Sequence, residues 1–207
     1  MKIILLIALF ASFAYGQVTQ TQLKARIDAL KNDGNFKLSY DKFTDNSLVI
    51  LKPYNLIGKG SQLAGEIIAK DTSHNGSPLI FGKKSASNIV FSMSLAAGFP
   101  FKGEKLTETP TVFMFTLTTG SNEWQFLKER TIYFLVDGER LSMDAVDRSS
   151  SIGRGTVAET LSFLVPADTI SNIANAKKVE IKAGQTEKVI KSEFFGLLKD
   201  LLALGKV

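Results

Sequence analysis

The chain has 207 residues, with 25 Lys and Arg against 20 Asp and Glu, a single histidine and no cysteine. That length suits one domain able to bury a core without staples, and the missing cysteine excludes disulfides, thiolate metal sites, a cysteine nucleophile and a lipid anchor on an N-terminal cysteine. The mild basic excess is interspersed, densest at Lys83-Lys84 and Lys177-Lys178, and forms no phosphate-tracking stripe, which argues against nucleic acid as a partner.

Lys2 precedes an almost unbroken apolar run from Ile3 to Tyr15, with small side chains at Ala14 and Gly16 before polar Gln17. This is the layout of a secretory signal peptide cut after Gly16, and the run is shorter than the ~20 residues that span a bilayer. The expectation is a leader over residues 1–16, export to the periplasm or the exterior, and no transmembrane segment after cleavage. Residues 17–207 then form a single β-rich domain: an N-terminal helix within 17–34, a sheet region over 35–191 and a C-terminal helix over 192–205.

In the mature chain, Leu23, Ile27 and Leu30 recur at helical spacing and predict a short helix that stops at Asn32-Asp33-Gly34. The period then changes to two and β-branched and aromatic residues take over. Strands are expected at Phe36–Tyr40, Leu48–Leu51, Leu63–Lys70, Asn88–Leu95, Thr111–Thr118, Trp124–Phe126 with Thr131–Val136, Arg140–Met143, Thr160–Val165, Lys178–Lys182 and Glu187–Lys191. Ile89, Phe91, Met93 and Leu95 alternate with polar residues, so that strand has one buried face. Val112 to Leu117 is apolar on both faces and predicts a strand central to the core.

Asp137-Gly138 between two such runs predicts a two-residue type I′ hairpin turn. Asp147 to Thr156, rich in Ser, Gly and Arg, reads as the mobile loop of the chain. Pro166 ends a strand, and Ile170, Ile173 and Ala174 predict a short helix after it. Ser192 is placed to cap a terminal helix whose apolar face carries Phe194, Leu197, Leu198, Leu201 and Leu202. About ten short strands without regularly alternating helices predict a mainly β fold, an antiparallel β-sandwich or curved sheet flanked by the two terminal helices.

The residues Trp124-x-Phe126-Leu127, Tyr133-x-x-Val136-Asp137-Gly138-Glu139-Arg140-Leu141, Glu159-Thr160-x-x-Phe163-x-Val165-Pro166 and Ile173-Ala174-x-Ala176-x-x-Val179-Glu180 resemble a recurrent domain of uncharacterised exported bacterial proteins. The resemblance is confined to roughly the last 80 residues. It implies an envelope or secreted β-domain ending in a helix, and implies no activity.

The catalytic inventory is sparse. His74 lies in the turn-like segment Asp71 to Pro78, and a lone loop histidine assembles neither a zinc site nor a metallohydrolase helix. No D-x-D-x-D-G calcium loop occurs. Ser39-Tyr40-Asp41-Lys42 is an isolated S-x-x-K without the partner motifs that give it meaning. Gly58-Lys59-Gly60-Ser61 and Gly153-Arg154-Gly155-Thr156 lack the context of phosphate-binding loops and read as turns. No catalytic residue, metal site or cofactor is therefore assigned.

Four residues remain as weak ligand-binding candidates. Asp137, Glu139 and Arg140 bring two carboxylates and a guanidinium close together in sequence, which suits acid–base work in a shielded cleft, although an exposed hairpin accounts for them more simply. Trp124, the only tryptophan, suits an aromatic platform for a sugar or peptide and, more commonly, packing between sheets. The expected function is an exported, non-catalytic β-sandwich binding or structural module for an unknown protein or envelope polymer. The alternatives are a carboxylate-dependent hydrolase of envelope polysaccharide and an apolar-ligand carrier suggested by the Phe-rich strands.

Overall fold

The structure, a computed structural model, describes residues 16–31, 33–57, 91–153 and 156–207, the side chain of Phe91 apart. The expected leader, except Gly16, lies outside the described residues, as do the expected strand Leu63–Lys70, the Gly58 to Ser61 turn and His74.

In chain order the elements are β1 (Val18–Thr19), α1 (Gln20–Asp28), a 3₁₀ turn (Asp33–Asn35), β2 (Phe36–Asp41), β3 (Asn46–Ile57), β4 (Phe91–Lys102), β5 (Lys105–Leu106), β6 (Val112–Ser121), β7 (Thr131–Val136), β8 (Glu139–Asp144), β9 (Asp147–Gly153), β10 (Thr156–Pro166), α2 (Ala167–Asn175), β11 (Val179–Ala183), β12 (Thr186–Ile190) and α3 (Ser192–Leu204). Among the described residues the fold is mainly β, with three antiparallel sheets, no closed barrel and short helices near both ends. A six-stranded sheet runs β2-β3-β4-β6-β10-β9, a four-stranded sheet runs β12-β11-β7-β8, and β1 pairs with β5.

The two large sheets share one core. Period-two alternation turns Phe113, Phe115 and Leu117 of β6 and Leu161, Phe163 and Val165 of β10 inward, where all are buried. Phe134 of β7 meets Phe115 edge-on, with ring centroids 6.5 Å apart, and joins the two sheets. Over the other half of the large sheet lie the helices. Phe194 of α3 packs against Tyr54 of β3 at 5.1 Å, while Leu23 and Ile27 of α1, one helical turn apart, are buried in the same core. The first helix starts at a capping box: Thr19 Oγ1 accepts from Gln22 N and Gln22 Oε1 accepts from Thr19 N.

Several elements differ from the sequence expectation for identifiable reasons. The strand expected to stop at Leu51 continues to Ile57, because the ladder with β4 shifts register between Leu51 and Tyr54, around Pro53, a residue with no N–H to donate. On β4, Gly98 permits close approach of β3: a Cβ there would stand 2.6 Å from the Val49 carbonyl oxygen. The strand expected to be apolar on both faces is central in the sheet; on the face opposite Phe113, Phe115 and Leu117, Thr116 is buried and Met114 half-buried, while Val112 at its start is exposed. Asp147 to Gly153 is a strand and not a loop, pairing along its whole length with β10. Trp124 to Phe126 is not a strand. Ser192 begins α3 without capping it; the N-cap position falls to Lys191.

Candidate functional site

The hairpin turn is as the sequence predicts. Val136 pairs with Glu139, leaving Asp137 at φ 50° and Gly138 at φ 94°, the two left-handed positions of a type I′ turn. The Asp137 carboxylate faces the junction between α2 and β11, where it accepts from Lys177 N at 3.0 Å and Lys178 N at 2.8 Å. Its own N–H donates to the Lys178 carbonyl at 2.9 Å. The Lys177 N–H, then the Lys178 N–H, hold its carboxyl below the usual range. Asp137 is thus a clamp between the hairpin and the next strand.

Its neighbours on β8 point apart. Arg140 faces outward, its guanidinium 4.4 Å from the centre of the Tyr133 ring. Glu139 is exposed at the end of the strand, on the same side as Leu141. No shared site joins the three.

This arrangement carries a testable consequence. The Asp137 carboxyl is easier to ionise in the folded chain than in the unfolded one, so its contribution to stability is complete above the ordinary carboxylate range and is lost as pH falls through the lowered folded value. Asp137→Asn keeps an acceptor and tolerates the positive φ but cannot titrate. Melting temperatures followed between about pH 2 and pH 5 should fall less steeply with acid in the variant than in the parent, and Asp137→Ala should melt lower than both near neutrality. Parallel acid curves for Asn and Asp would contradict the clamp.

Trp124 belongs to a different cluster, built around two residues outside the four candidates. Glu159, on an inward position of β10, is 1% exposed and forms a 2.8 Å ion pair with Arg148 of β9, whose side chain is 14% exposed. The register that opposes Leu161 to Arg148 and Glu159 to Ser150 puts both charges on the inner face. The carboxylate also accepts from Gln125 N at 2.5 Å and from Phe126 N at 3.2 Å. Those two N–H groups are spoken for, which is why the segment forms no ladder. The Arg148 guanidinium lies 5.4 Å from the Trp124 ring centre, and the indole is 37% exposed. Arg148 Nε is buried with no hydrogen-bond partner.

Chemically this cluster is a fastener. Arg148 Nη2, Gln125 N and Phe126 N all donate to Glu159, so it ties the loop after β6 to the β9–β10 pair. The signal for Glu159 is in the sequence: it occupies a period-two inward position among Val157, Leu161, Phe163 and Val165, where a carboxylate requires partners. Which cation answers it depends on the β9 register alone.

Open surface lies on the outer face of the four-stranded sheet. One groove of about 520 Å³ is lined by Glu129, Tyr133, Leu135, Arg140, Glu180, Ile181, Lys182 and Glu187. A second, of about 560 Å³, is lined by Leu135, Asp137, Gly138, Lys177, Lys178 and Glu180, so the two meet at Leu135 and Glu180. Leu135 is 41% and Val189 58% exposed on this face. They are bracketed by Lys178–Glu180 at 2.6 Å and Lys182–Glu187 at 2.8 Å, and Glu187 pushes the Lys182 ammonium up from its ordinary value. Tyr133 Oη donates to Glu129 at 3.2 Å. Three of the four sequence candidates, Asp137, Glu139 and Arg140, are near this face, but only Asp137 and Arg140 line the grooves, and Trp124 lines neither.

Among the described residues no three His, Cys, Asp or Glu side chains gather closely enough to hold a metal ion, and no helix is long and apolar enough to cross a membrane. Comparison with protein-family models, curated proteins and solved structures finds no match.

Proposed function

We propose that this chain is an exported, non-catalytic binding module that engages a protein or envelope polymer through the outer face of its four-stranded sheet. The observation that carries the reading is the pair of grooves meeting at Leu135, where exposed apolar side chains stand within a frame of charged residues. That is the composition of a recognition surface, apolar at its centre and polar at its rim. Export is supported by the leader-like residues 1–16 and by the resemblance of the C-terminal part to exported bacterial β-domains.

The alternatives draw on the same molecule. Glu129, Glu180 and Glu187 line one groove, which favours the carboxylate-dependent hydrolase as second reading. Each is engaged by a hydroxyl or an ammonium on an open face, where water is not excluded from the reacting groups. The carrier reading draws no support from the Phe-rich strands: Phe99, Phe113, Phe115, Phe126, Phe134 and Phe163 are all fully buried and pack as core.

The test is co-sedimentation of purified mature protein with isolated cell-envelope polysaccharide and with solubilised envelope proteins. Leu135→Asp combined with Val189→Asp should weaken binding about tenfold or more and leave the melting temperature nearly unchanged. Binding indifferent to those changes would overturn the placement. Release of soluble sugar fragments, abolished by Glu129→Gln, Glu180→Gln or Glu187→Gln, would overturn the non-catalytic reading. The intact mass of exported protein should correspond to a chain beginning at Gln17.

A further inference from the structure

A sheet edge is a row of unpaired backbone donors and acceptors, and proteins blunt such edges with charge, proline or bulges. Among the described residues the two large sheets end in β2, β9, β8 and β12. Three of these carry charges along their length: Lys37 and Asp41 on β2, Glu139, Arg140 and Asp144 on β8, Glu187 and Lys188 on β12. On β9 the charges are confined to Asp147 and Arg148 at its start, and Arg148 is turned to Glu159 at 2.8 Å. The remainder of the strand, Ser149-Ser150-Ser151-Ile152-Gly153, is neutral and free of proline, with Ile152 68% exposed.

We infer that β9 pairs with β9 of a second copy of this chain, antiparallel about a twofold axis at Ser150. The strand is self-complementary in that register. Ser149 of one copy faces Ser151 of the other, Arg148 faces Ile152 and Asp147 faces Gly153, so no like charges oppose each other and all 7 residues of the strand find a partner. Ile152 leaves water against the aliphatic stem of the facing arginine. On β2, β8 and β12 charged side chains recur along the strand, whereas on β9 they fall only at the two ends of the pairing. The two six-stranded sheets become one continuous sheet, and the face carrying Leu135 stays free on each copy, so this inference does not rest on the groove being a binding surface.

The experiment is analytical ultracentrifugation of the mature chain over a concentration series, with a matched pair of double variants on exposed or half-exposed serines. The parent should show a concentration-dependent dimer. Ser149→Lys with Ser151→Lys sets lysines opposite each other twice and should raise the dimer dissociation constant about tenfold or more. Ser149→Lys with Ser151→Glu sets opposite charges together in the same places and should keep the dimer, with circular dichroism confirming that both variants fold. A parent that is monomeric at every concentration would overturn the inference. So would a dimer that survives both double variants, since it would be held elsewhere.

Discussion

Glu159→Ala should lower the unfolding free energy by about 3–5 kcal/mol, the cost of stranding one partner of a buried ion pair. The loss has two parts. Arg148, with its side chain 14% exposed and its Nε already unpaired, would keep its charge in a dry site with no anion. The N–H groups of Gln125 and Phe126 would lose their acceptor, and an unsatisfied buried donor costs about 1–3 kcal/mol. A domain of this size has a net stability of roughly 5–15 kcal/mol, so the single substitution removes a large share of it. Removing both charges is different. Glu159→Leu with Arg148→Met fills the same space without a stranded ion, and pairs of this kind are often neutral or stabilising when replaced together. Urea unfolding of the mature protein should therefore place the double variant above Glu159→Ala. The double variant still leaves the Gln125 and Phe126 N–H groups without their acceptor, so if it is as unstable as Glu159→Ala, the stranded Arg148 charge is not the larger part of the loss.

That cluster also shows what the sequence reveals and what it hides. Asp137-Gly138 is legible because a two-residue turn is decided by two φ angles and nothing distant. The terminal helix is legible because Phe194, Leu197, Leu198 and Leu201 fall on one face whatever they pack against, and all four are buried. β9 is not legible from its own residues, since Ser-Ser-Ser-Ile-Gly has the composition of a turn; it is a strand because β10 offers a ladder of matching length. Trp124 to Phe126 fails in the opposite direction. Its aromatics suggest a strand, but a carboxylate more than thirty residues away captures the backbone donors a ladder would use.

The candidate site divides on the same line. Asp137, Glu139 and Arg140 are neighbours in sequence, and alternation along β8 sends the last two to opposite faces, so closeness along the chain does not become a shared site. The grooves are assembled from β7, β8, β11 and β12 and the residues beside them, and the order of those strands is a fact of topology. In sequence, Leu135 and Val189 are merely two of several apolar residues in two short strands. Only the pairing of both with Glu180, Leu135 through the β11–β7 ladder and Val189 through the β11–β12 ladder, brings them into one row.

Phe134→Ala should cost about 3–5 kcal/mol, because this ring is where the four-stranded sheet meets the six-stranded one. Phe134 and Phe115 are each 0% exposed, and their edge-on contact at 6.5 Å crosses the interface between the sheets. Truncating Phe134 removes the transfer free energy of a phenyl group and leaves a void in the close-packed core between the two sheets. Phe115→Ala should cost about as much on the same grounds. The double variant should lose less than the sum of the two, by about 0.5–1.5 kcal/mol, because each single change already destroys the aromatic pair. Leu164→Ala provides the control. Leu164 lies on the same sheet but on its outer face, 59% exposed, and its truncation should stay within about 0.5 kcal/mol of the parent. A loss at Leu164 as large as at Phe134 would mean that the buried face of the six-stranded sheet is the other one, and the placement of the four-stranded sheet against Phe115 would fall with it.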